Sequence, residues 1–338
     1  MPGQYSPQKL HEQILKTLTP RCRYDESQPL EAWQARARKR LGDLLGLSAI
    51  PKGEIKPQIE WQKEEEAFYE TRFSLNTEPG YDSPMHLLLP KSRKKPPVVI
   101  CVQGHSTGMH ISLGRPKFEG DAEDIAGDRD CALQAIRQGY AALTIEQRAF
   151  GECGGDEKGP RCAQPAATAL MLGRTLIGER VHDIMCAIDM LKAGYFDVDA
   201  SRIAITGNSG GGTASIYAAA MDPRLSASMP SCAFTSFYAS IGVSLHCMCN
   251  YIPGIARDFD MGDLCALIAP RPLVLIAAEK DKSFPLTQAK EQFALIQRAY
   301  DGLKATGKCR LIAAPGGHRY YADLAWPAFN EITGWNKA

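Results

Sequence analysis

A serine lies within a pattern of small residues that suits nucleophilic hydrolysis. Residues 207–211 read Gly-Asn-Ser-Gly-Gly and match G-x-S-x-G, in which glycines permit the strained turn that exposes a serine hydroxyl. The match alone is weak, but an apolar run at 203–206 precedes it and a small-residue helical pattern at 213–221 follows it. This strand-turn-helix setting predicts Ser209 as a nucleophile.

A serine hydroxyl is a weak nucleophile, so it needs a base and a carboxylate that orients the base. Asp281 follows the apolar run 273–278, and His318 follows the run 310–314 in a Gly-Gly-His loop. The chain order Ser, Asp, His and the position of both residues at strand ends predict His318 as the general base and Asp281 as its orienting acid. Glu279 remains the alternative acid, although it lies closer to the strand body.

Acyl transfer also needs hydrogen-bond donors for the developing oxyanion. One predicted donor is the backbone N–H of Gly210, the residue after the nucleophile. The second predicted donor is the backbone N–H of His105, in the turn after the apolar run 98–102. The His105 side chain is equally well explained as a polar group bonded to its own loop.

The elements that must position these residues alternate in an α/β pattern. Helical spacing of apolar residues marks 10–18, 30–45 and 181–193, and extended segments are predicted at 67–75 and 85–89. Short apolar runs then recur between helices, which predicts a mostly parallel sheet covered on both faces; they are residues 98–102, 141–145, 203–206, 273–278 and 310–314. We expect an N-terminal helical extension at 1–60, a catalytic domain at 61–338 and a cap-like insertion at 231–263.

Composition narrows the classes of function. The 338 residues are 44% hydrophobic and 23% charged with a net charge of +1, which favours a globular protein and disfavours a nucleic-acid or membrane partner. The polar N-terminus and the absence of a long apolar stretch indicate a cytoplasmic protein. The chain has eleven cysteines, an odd number, and many of them lie in apolar surroundings. This favours reduced, buried thiols over a disulfide framework, and no disulfide is expected between Cys153 and Cys162.

From about Ala67 to Trp335 the chain resembles the acetyl xylan esterase and cephalosporin-C deacetylase branch of the α/β-hydrolases, which is related to dienelactone hydrolases. The matching segments are Gln-Gly-His at 103–105, residues 146–151, the Ser209 turn, Arg-Pro-Leu at 271–273 before Asp281, and Gly-His at 317–318. Two segments depart from that branch. Its members commonly have glutamine after the nucleophile and Arg-Gly-Gln after an earlier strand, where this chain has Gly210 and Arg148-Ala149-Phe150.

The resemblance implies an α/β-hydrolase fold and a serine esterase that needs no cofactor and cleaves short-acyl esters, especially acetyl esters, of sugars or other polar alcohols. Prolyl-oligopeptidase-like peptidases, thioesterases, lactone hydrolases and a non-catalytic binding relative remain alternatives on the same fold. The expected partner is a small-molecule ester, and the hexamers formed by relatives leave a homo-oligomer open.

The substrate-binding residues are the least specified part of this prediction. His246, Tyr251 and Arg148 are weak candidates, and a structural role in pinning loops is favoured for Arg148. The stretch His246-Cys247-Met248-Cys249 contains zinc-ligand residue types. Its ligands are crowded and no second Cys/His pair follows at finger spacing, so packing is favoured and no metal is predicted.

Overall fold

The computed structural model describes residues 5–337, and these form one mixed β-sheet with helices on both faces. The strands are β1 (Pro57–Glu64), β2 (Phe68–Glu78), β3 (Tyr81–Pro90), β4 (Pro97–Val102), β5 (Ala141–Ile145), β6 (Asp199–Asn208), β7 (Ala227–Ser231), β8 (Leu273–Ala278) and β9 (Cys309–Ala314). Their order across the sheet is β1-β2-β3-β5-β4-β6-β7-β8-β9. Pairing is antiparallel from β1 to β5 and parallel from β5 to β9. This arrangement confirms the predicted α/β-hydrolase fold.

Helices cover the two faces of the sheet unequally. The helices are α1 (Pro7–Thr17), α2 (Leu30–Leu45), α3 (Asp121–Asp124), α4 (Cys131–Arg137), α5 (Ala163–Met171), α6 (Leu176–Lys192), α7 (Gly210–Met221), α8 (Ile255–Asp258), α9 (Met261–Ala266), α10 (Leu286–Gly302) and α11 (Ala322–Thr333). One core contains residues from α2, α6, α7, α9 and α10. The other contains residues from α4 and α11. In the part of the chain described, no helix is both long and apolar enough to cross a membrane.

The central strand β4 shows why a continuous apolar run forms part of this sheet. All six of its residues are buried. Successive side chains of a strand point to opposite faces, so Val98 and Ile100 enter the larger core while Val99 and Cys101 enter the smaller one. A strand covered on both faces therefore needs apolar residues at every position.

Most predicted elements are confirmed, with bounds that differ by a few residues. The apolar runs 141–145 and 273–278 coincide with β5 and β8. The predictions omitted β1 and β7. Strand β1 is at the edge of the sheet and mostly exposed, and β7 is five residues long with Pro230 inside it, so neither carries a strong apolar pattern.

The N-terminal segment is integrated into the catalytic core. Trp33 of α2 is fully buried in the larger core, and its indole N–H donates to the Cys22 carbonyl at 2.9 Å. The predicted extension 1–60 also includes the start of β1, and its first four residues lie outside the described residues. The predicted insertion 231–263 begins at the last residue of β7. Within it, the Asp258 carboxylate forms ion pairs with Arg21 and Arg40 at 2.6 and 2.7 Å. The N-terminal segment thus anchors the inserted segment.

Candidate active site

Ser209 occupies a strained turn between β6 and α7. Its backbone has φ 54° and ψ −121°, a conformation that L-residues rarely adopt and that often marks a functional site. The turn requires close backbone approach, because a Cβ on Gly211 would lie 2.0 Å from the Val102 carbonyl oxygen and one on Gly207 would lie 2.5 Å from the same atom. The glycines of the motif are therefore sterically required.

His318 and Asp281 form a hydrogen-bonded pair at the ends of β9 and β8. The His318 Nδ1 atom lies 2.7 Å from Asp281 Oδ2. The other carboxylate oxygen of Asp281 accepts backbone N–H groups of Ser283 and Phe284 at 2.8 and 3.1 Å. Burial by itself would raise the pKa of Asp281, but these hydrogen bonds and the His318 ring hold it below its ordinary value. Glu279, the alternative acid, is exposed, and within residues 5–337 it forms no hydrogen bond to His318 like that of Asp281.

The loop that carries His318 lies beside the Ser209 turn. The Ser209 N–H donates to the Ser231 carbonyl at the end of β7 at 3.0 Å. The Ser231 hydroxyl in turn donates to the Tyr320 carbonyl at 2.6 Å. Phe284 stacks on the His318 ring with a centroid distance of 5.9 Å and lines the same cavity as Ser209. The three predicted residues therefore lie at one edge of the sheet.

The predicted oxyanion donors also lie at this edge. Gly210 is the first residue of α7, where backbone N–H groups have no acceptor within the helix. The loop after β4 comes close to the nucleophile turn, because a Cβ on Gly104 would lie 2.9 Å from the Asn208 carbonyl oxygen. The His105 ring covers Gly210, with Nδ1 only 2.6 Å from the position that a Gly210 Cβ would take.

A buried glutamate supports the loop after β4. Glu146 is 1% exposed, accepts the Gln103 amide at 2.6 Å and accepts the Met109 N–H at 3.2 Å. Burial raises its pKa to about 7, although backbone N–H groups oppose that rise. In the sequence, residues 146–151 are distinguished only by their resemblance to the esterase branch. The structure shows that Glu146 fixes the loop on which His105 lies.

A cavity of about 350 Å³ lies above Ser209. Its lining comes from the nucleophile turn, the loops after β4 and β8, the loop before α5 and the inserted segment. The lining residues are His105, Pro160, Ser209, Gly210, Thr213, His246, Cys247, Asn250, Ser283 and Phe284. Pro160, Thr213, Asn250, Ser283 and Phe284 were not predicted from the sequence. The latter two follow Asp281 within three residues, which is the one local signal that could have identified them.

The three weak substrate-binding candidates fall in different places. His246 lines the cavity above Ser209. Tyr251 lines a separate cavity of about 430 Å³ between α1 and the inserted segment, and its hydroxyl accepts the His246 N–H at 3.2 Å. Arg148 is 6% exposed and pairs with Asp183 and Glu78, each at 2.8 Å. The guanidinium of Arg148 therefore fastens β2 to α6 away from the cavity.

Metal-ligand residue types also gather beside the site, in a set that differs from the stretch considered in the sequence. His105, Cys162, Cys247 and Cys249 place their ligand atoms within 4.8 Å of one another. His246 lies outside this set, and its Nε2 is 3.2 Å from the Ser240 hydroxyl. All eleven cysteines are free thiols.

Known proteins share this architecture. A model of the Abhydrolase family matches residues 4–235. YtaP of Bacillus subtilis (strain 168), whose designation as a hydrolase is provisional, is 24% identical over 305 residues, which are 89% of this chain and 99% of YtaP. A provisionally named acetyl xylan esterase from Bacteroides fragilis NCTC 9343 matches 97% of this chain and 95% of its own, with a TM-score of 0.82 and 15% identity. A glucuronoyl esterase from Solibacter usitatus matches 96% of this chain and 100% of its own, with a TM-score of 0.68 and 16% identity.

The structural matches, at such low identity, show a shared fold. The family model carries more weight because it spans well over half of the sequence, including β1 to β7 and the Ser209 turn. The chain belongs to the Abhydrolase family.

Proposed function

We propose that the protein hydrolyses carboxylic esters through Ser209, His318 and Asp281. The observation that carries this proposal is the hydrogen bond of 2.7 Å between His318 and Asp281, located beside a strained serine turn. A carboxylate on Nδ1 keeps a proton there and leaves Nε2 free to accept one. The pair is therefore arranged for general-base catalysis next to a nucleophile.

The reaction then follows two steps. Ser209 Oγ attacks the ester carbonyl carbon while its proton passes to His318 Nε2. The N–H groups of Gly210 and His105 stabilise the oxyanion, and the intermediate collapses as the leaving alcohol takes the proton from His318. In the second step His318 removes a proton from water, which attacks the acyl-enzyme. The bond to Ser209 Oγ then breaks as His318 returns the proton to Oγ, and the acid is released.

The cavity favours a short acyl group on a polar alcohol. A volume of about 350 Å³ is near the small end of the range for ligand pockets. Thr213, His246, Asn250 and Ser283 offer hydroxyl, imidazole and amide groups to a hydroxylated alcohol, while Phe284 provides an apolar wall. Structural neighbours named as acetyl xylan and glucuronoyl esterases support sugar esters as the class, and we propose acetyl esters of such alcohols.

The proposal is tested by initial-rate hydrolysis of p-nitrophenyl acetate, butyrate and octanoate. We expect the wild type to favour acetate and Ser209→Ala to lose the activity, while Ser48→Ala, at an exposed serine outside the cavity, keeps a folded, active enzyme. Acetate release from acetylated xylo-oligosaccharides and cephalosporin C then identifies the alcohol. Labelling of Ser209 by a fluorophosphonate reports an activated serine independently of the substrate.

Two outcomes would contradict the proposal. Equal inactivity of wild type and Ser209→Ala on every ester, with no fluorophosphonate labelling, would favour a binding protein on this fold. Labelling without ester turnover would instead point to a peptidase or thioesterase, which peptide and thioester panels distinguish.

A further inference from the structure

A histidine and three cysteines from three separate segments meet beside the cavity. His105 follows β4, Cys162 precedes α5, and Cys247 and Cys249 belong to the inserted segment. Their ligand atoms all lie within 4.8 Å of one another, and His105 Nε2 is 3.1 Å from Cys249 Sγ. Cys162 and Cys249 are both 2% exposed, whereas His105 and Cys247 are partly exposed and line the cavity.

The spacing of these atoms suits a tetrahedral metal ion. Zinc binds thiolate at about 2.3 Å and imidazole nitrogen at about 2.0 Å, which sets its ligand atoms about 3.6 to 3.8 Å apart. The His105 Nε2 to Cys249 Sγ separation of 3.1 Å and the upper bound of 4.8 Å for all the ligand atoms require side-chain shifts of about 1 Å to reach that geometry. Three cysteines and one histidine are an established donor set for structural zinc.

A buried cation next to the cluster provides a second observation. Arg180 is 2% exposed, and its guanidinium donates to the Arg148 carbonyl at 2.8 Å and to Cys162 Sγ at 3.2 Å. Within residues 5–337 no carboxylate lies at ion-pair distance from it. A buried charge without an opposite charge is costly, so an anionic group beside the guanidinium would stabilise it, and Cys162 of the cysteine cluster is in contact with it.

We propose that His105, Cys162, Cys247 and Cys249 bind one zinc ion, which fastens the inserted segment to the loop beside the nucleophile. A divalent ion with three thiolates carries a net charge of −1, which Arg180 neutralises. A metal on His105 Nε2 also leaves the ring proton on Nδ1, the nitrogen that lies against Gly210. The ion thus fixes both the tautomer of His105 and the wall of the cavity that Cys247 forms.

The test measures metal binding, which does not depend on ester hydrolysis. The full-length protein is purified under reducing conditions, assayed for bound zinc, stripped and titrated with Co²⁺. We expect about one ion per chain, with thiolate-to-cobalt charge-transfer bands and the visible spectrum of tetrahedral cobalt. X-ray absorption on the zinc form of the wild type should show three sulfur ligands and one nitrogen ligand.

Variants assign the ligands. Cys249→Ser and Cys162→Ser should weaken metal affinity by at least about 100-fold, because changes outside the ligand shell alone cost about 10- to 100-fold. Cys265→Ser is the matched control, since Cys265 is a fully buried free thiol of α9 outside the cluster. This control should bind metal as the wild type does.

The proposal is overturned by wild-type protein that holds no metal and gives no cobalt bands when fully reduced. A disulfide between two of the three cysteines in the freshly isolated, metal-free protein would overturn it as well. So would equal metal loss in Cys265→Ser and Cys249→Ser. If a cysteine variant fails to fold, the absorption spectra of the wild type still decide between these outcomes.

Discussion

Asp281→Asn tests whether the hydrogen bond to His318 sets the proton on the imidazole ring. The backbone N–H groups of Ser283 and Phe284 donate to Asp281 Oδ1 at 2.8 and 3.1 Å. In the variant the amide oxygen must take that position, because an NH₂ group there would oppose two donors. The amide NH₂ then faces His318 Nδ1, 2.7 Å away in the native protein, and Nδ1 must accept from it.

This reversal moves the imidazole proton to Nε2, the nitrogen that must receive the serine proton. We therefore expect kcat to fall by about 10⁴, as for the same change in another Ser-His-Asp site, which corresponds to about 5 kcal/mol in the barrier. KM should change little because Asp281 does not line the cavity. Thermal unfolding should shift little, since the amide oxygen still accepts both backbone donors.

The assay is steady-state hydrolysis of p-nitrophenyl acetate, with unfolding followed by circular dichroism. Glu279→Gln is the matched control, because Glu279 lies two residues away and is exposed, and it should retain kcat within about threefold. The reasoning is refuted if Asp281→Asn keeps more than about a tenth of wild-type kcat. A large loss in Glu279→Gln together with a small loss in Asp281→Asn would assign the acid to Glu279.

Three further predictions concern stability. Gly211→Ala should lower the free energy of unfolding in urea by about 3 kcal/mol or more, because its Cβ would lie 2.0 Å from the Val102 carbonyl oxygen. Gly307→Ala, which has open space around the new Cβ, should change it by no more than about 0.5 kcal/mol. Equal losses in the two variants would contradict the steric argument. The contribution of Glu146 to the free energy of unfolding should fall by about 3 kcal/mol as pH rises from about 4.5 to 7, because folded Glu146, with its pKa raised to about 7, keeps a proton that the unfolded chain has released. In Glu146→Gln this part of the pH dependence should vanish, and its persistence would show that another group causes it. Arg148→Met should lower the free energy of unfolding by about 3 to 5 kcal/mol, because it leaves buried carboxylates unpaired. KM for p-nitrophenyl acetate should not change. A raised KM at unchanged stability would instead place Arg148 at the substrate.

The sequence predicted the parts of the site that local patterns define. Ser209 lies in a glycine turn whose steric demands are visible within five residues, and Asp281 and His318 each follow an apolar strand by a short loop. Because parallel strands end at the same edge of a sheet, chain order and strand ends were enough to place these side chains at one edge. The fold class followed for the same reason, from apolar runs such as β4 and β8.

Features that depend on long-range packing were not predictable in this way. Cys162 meets Cys247 and Cys249 only because α5 and the inserted segment pack side by side, and no spacing along the chain encodes that contact. The supporting role of Glu146 likewise depends on the approach of two loops. Strand β1 forms through pairing with β2, so its mostly exposed residues carry no apolar pattern of their own.

The two departures from the esterase branch that this chain resembles meet at one histidine. Gly210 stands where glutamine is common, and the His105 ring fills the space that a side chain there would need, 2.6 Å from the Cβ position. Phe150 stands where a second glutamine is common, and its ring lies 5.3 Å from the His105 ring and under the Arg180 guanidinium. Both departures thus lie against the His105 ring, whose Nε2 faces Cys249 of the cysteine cluster at 3.1 Å. A side chain at position 210 would therefore displace the ring from this position.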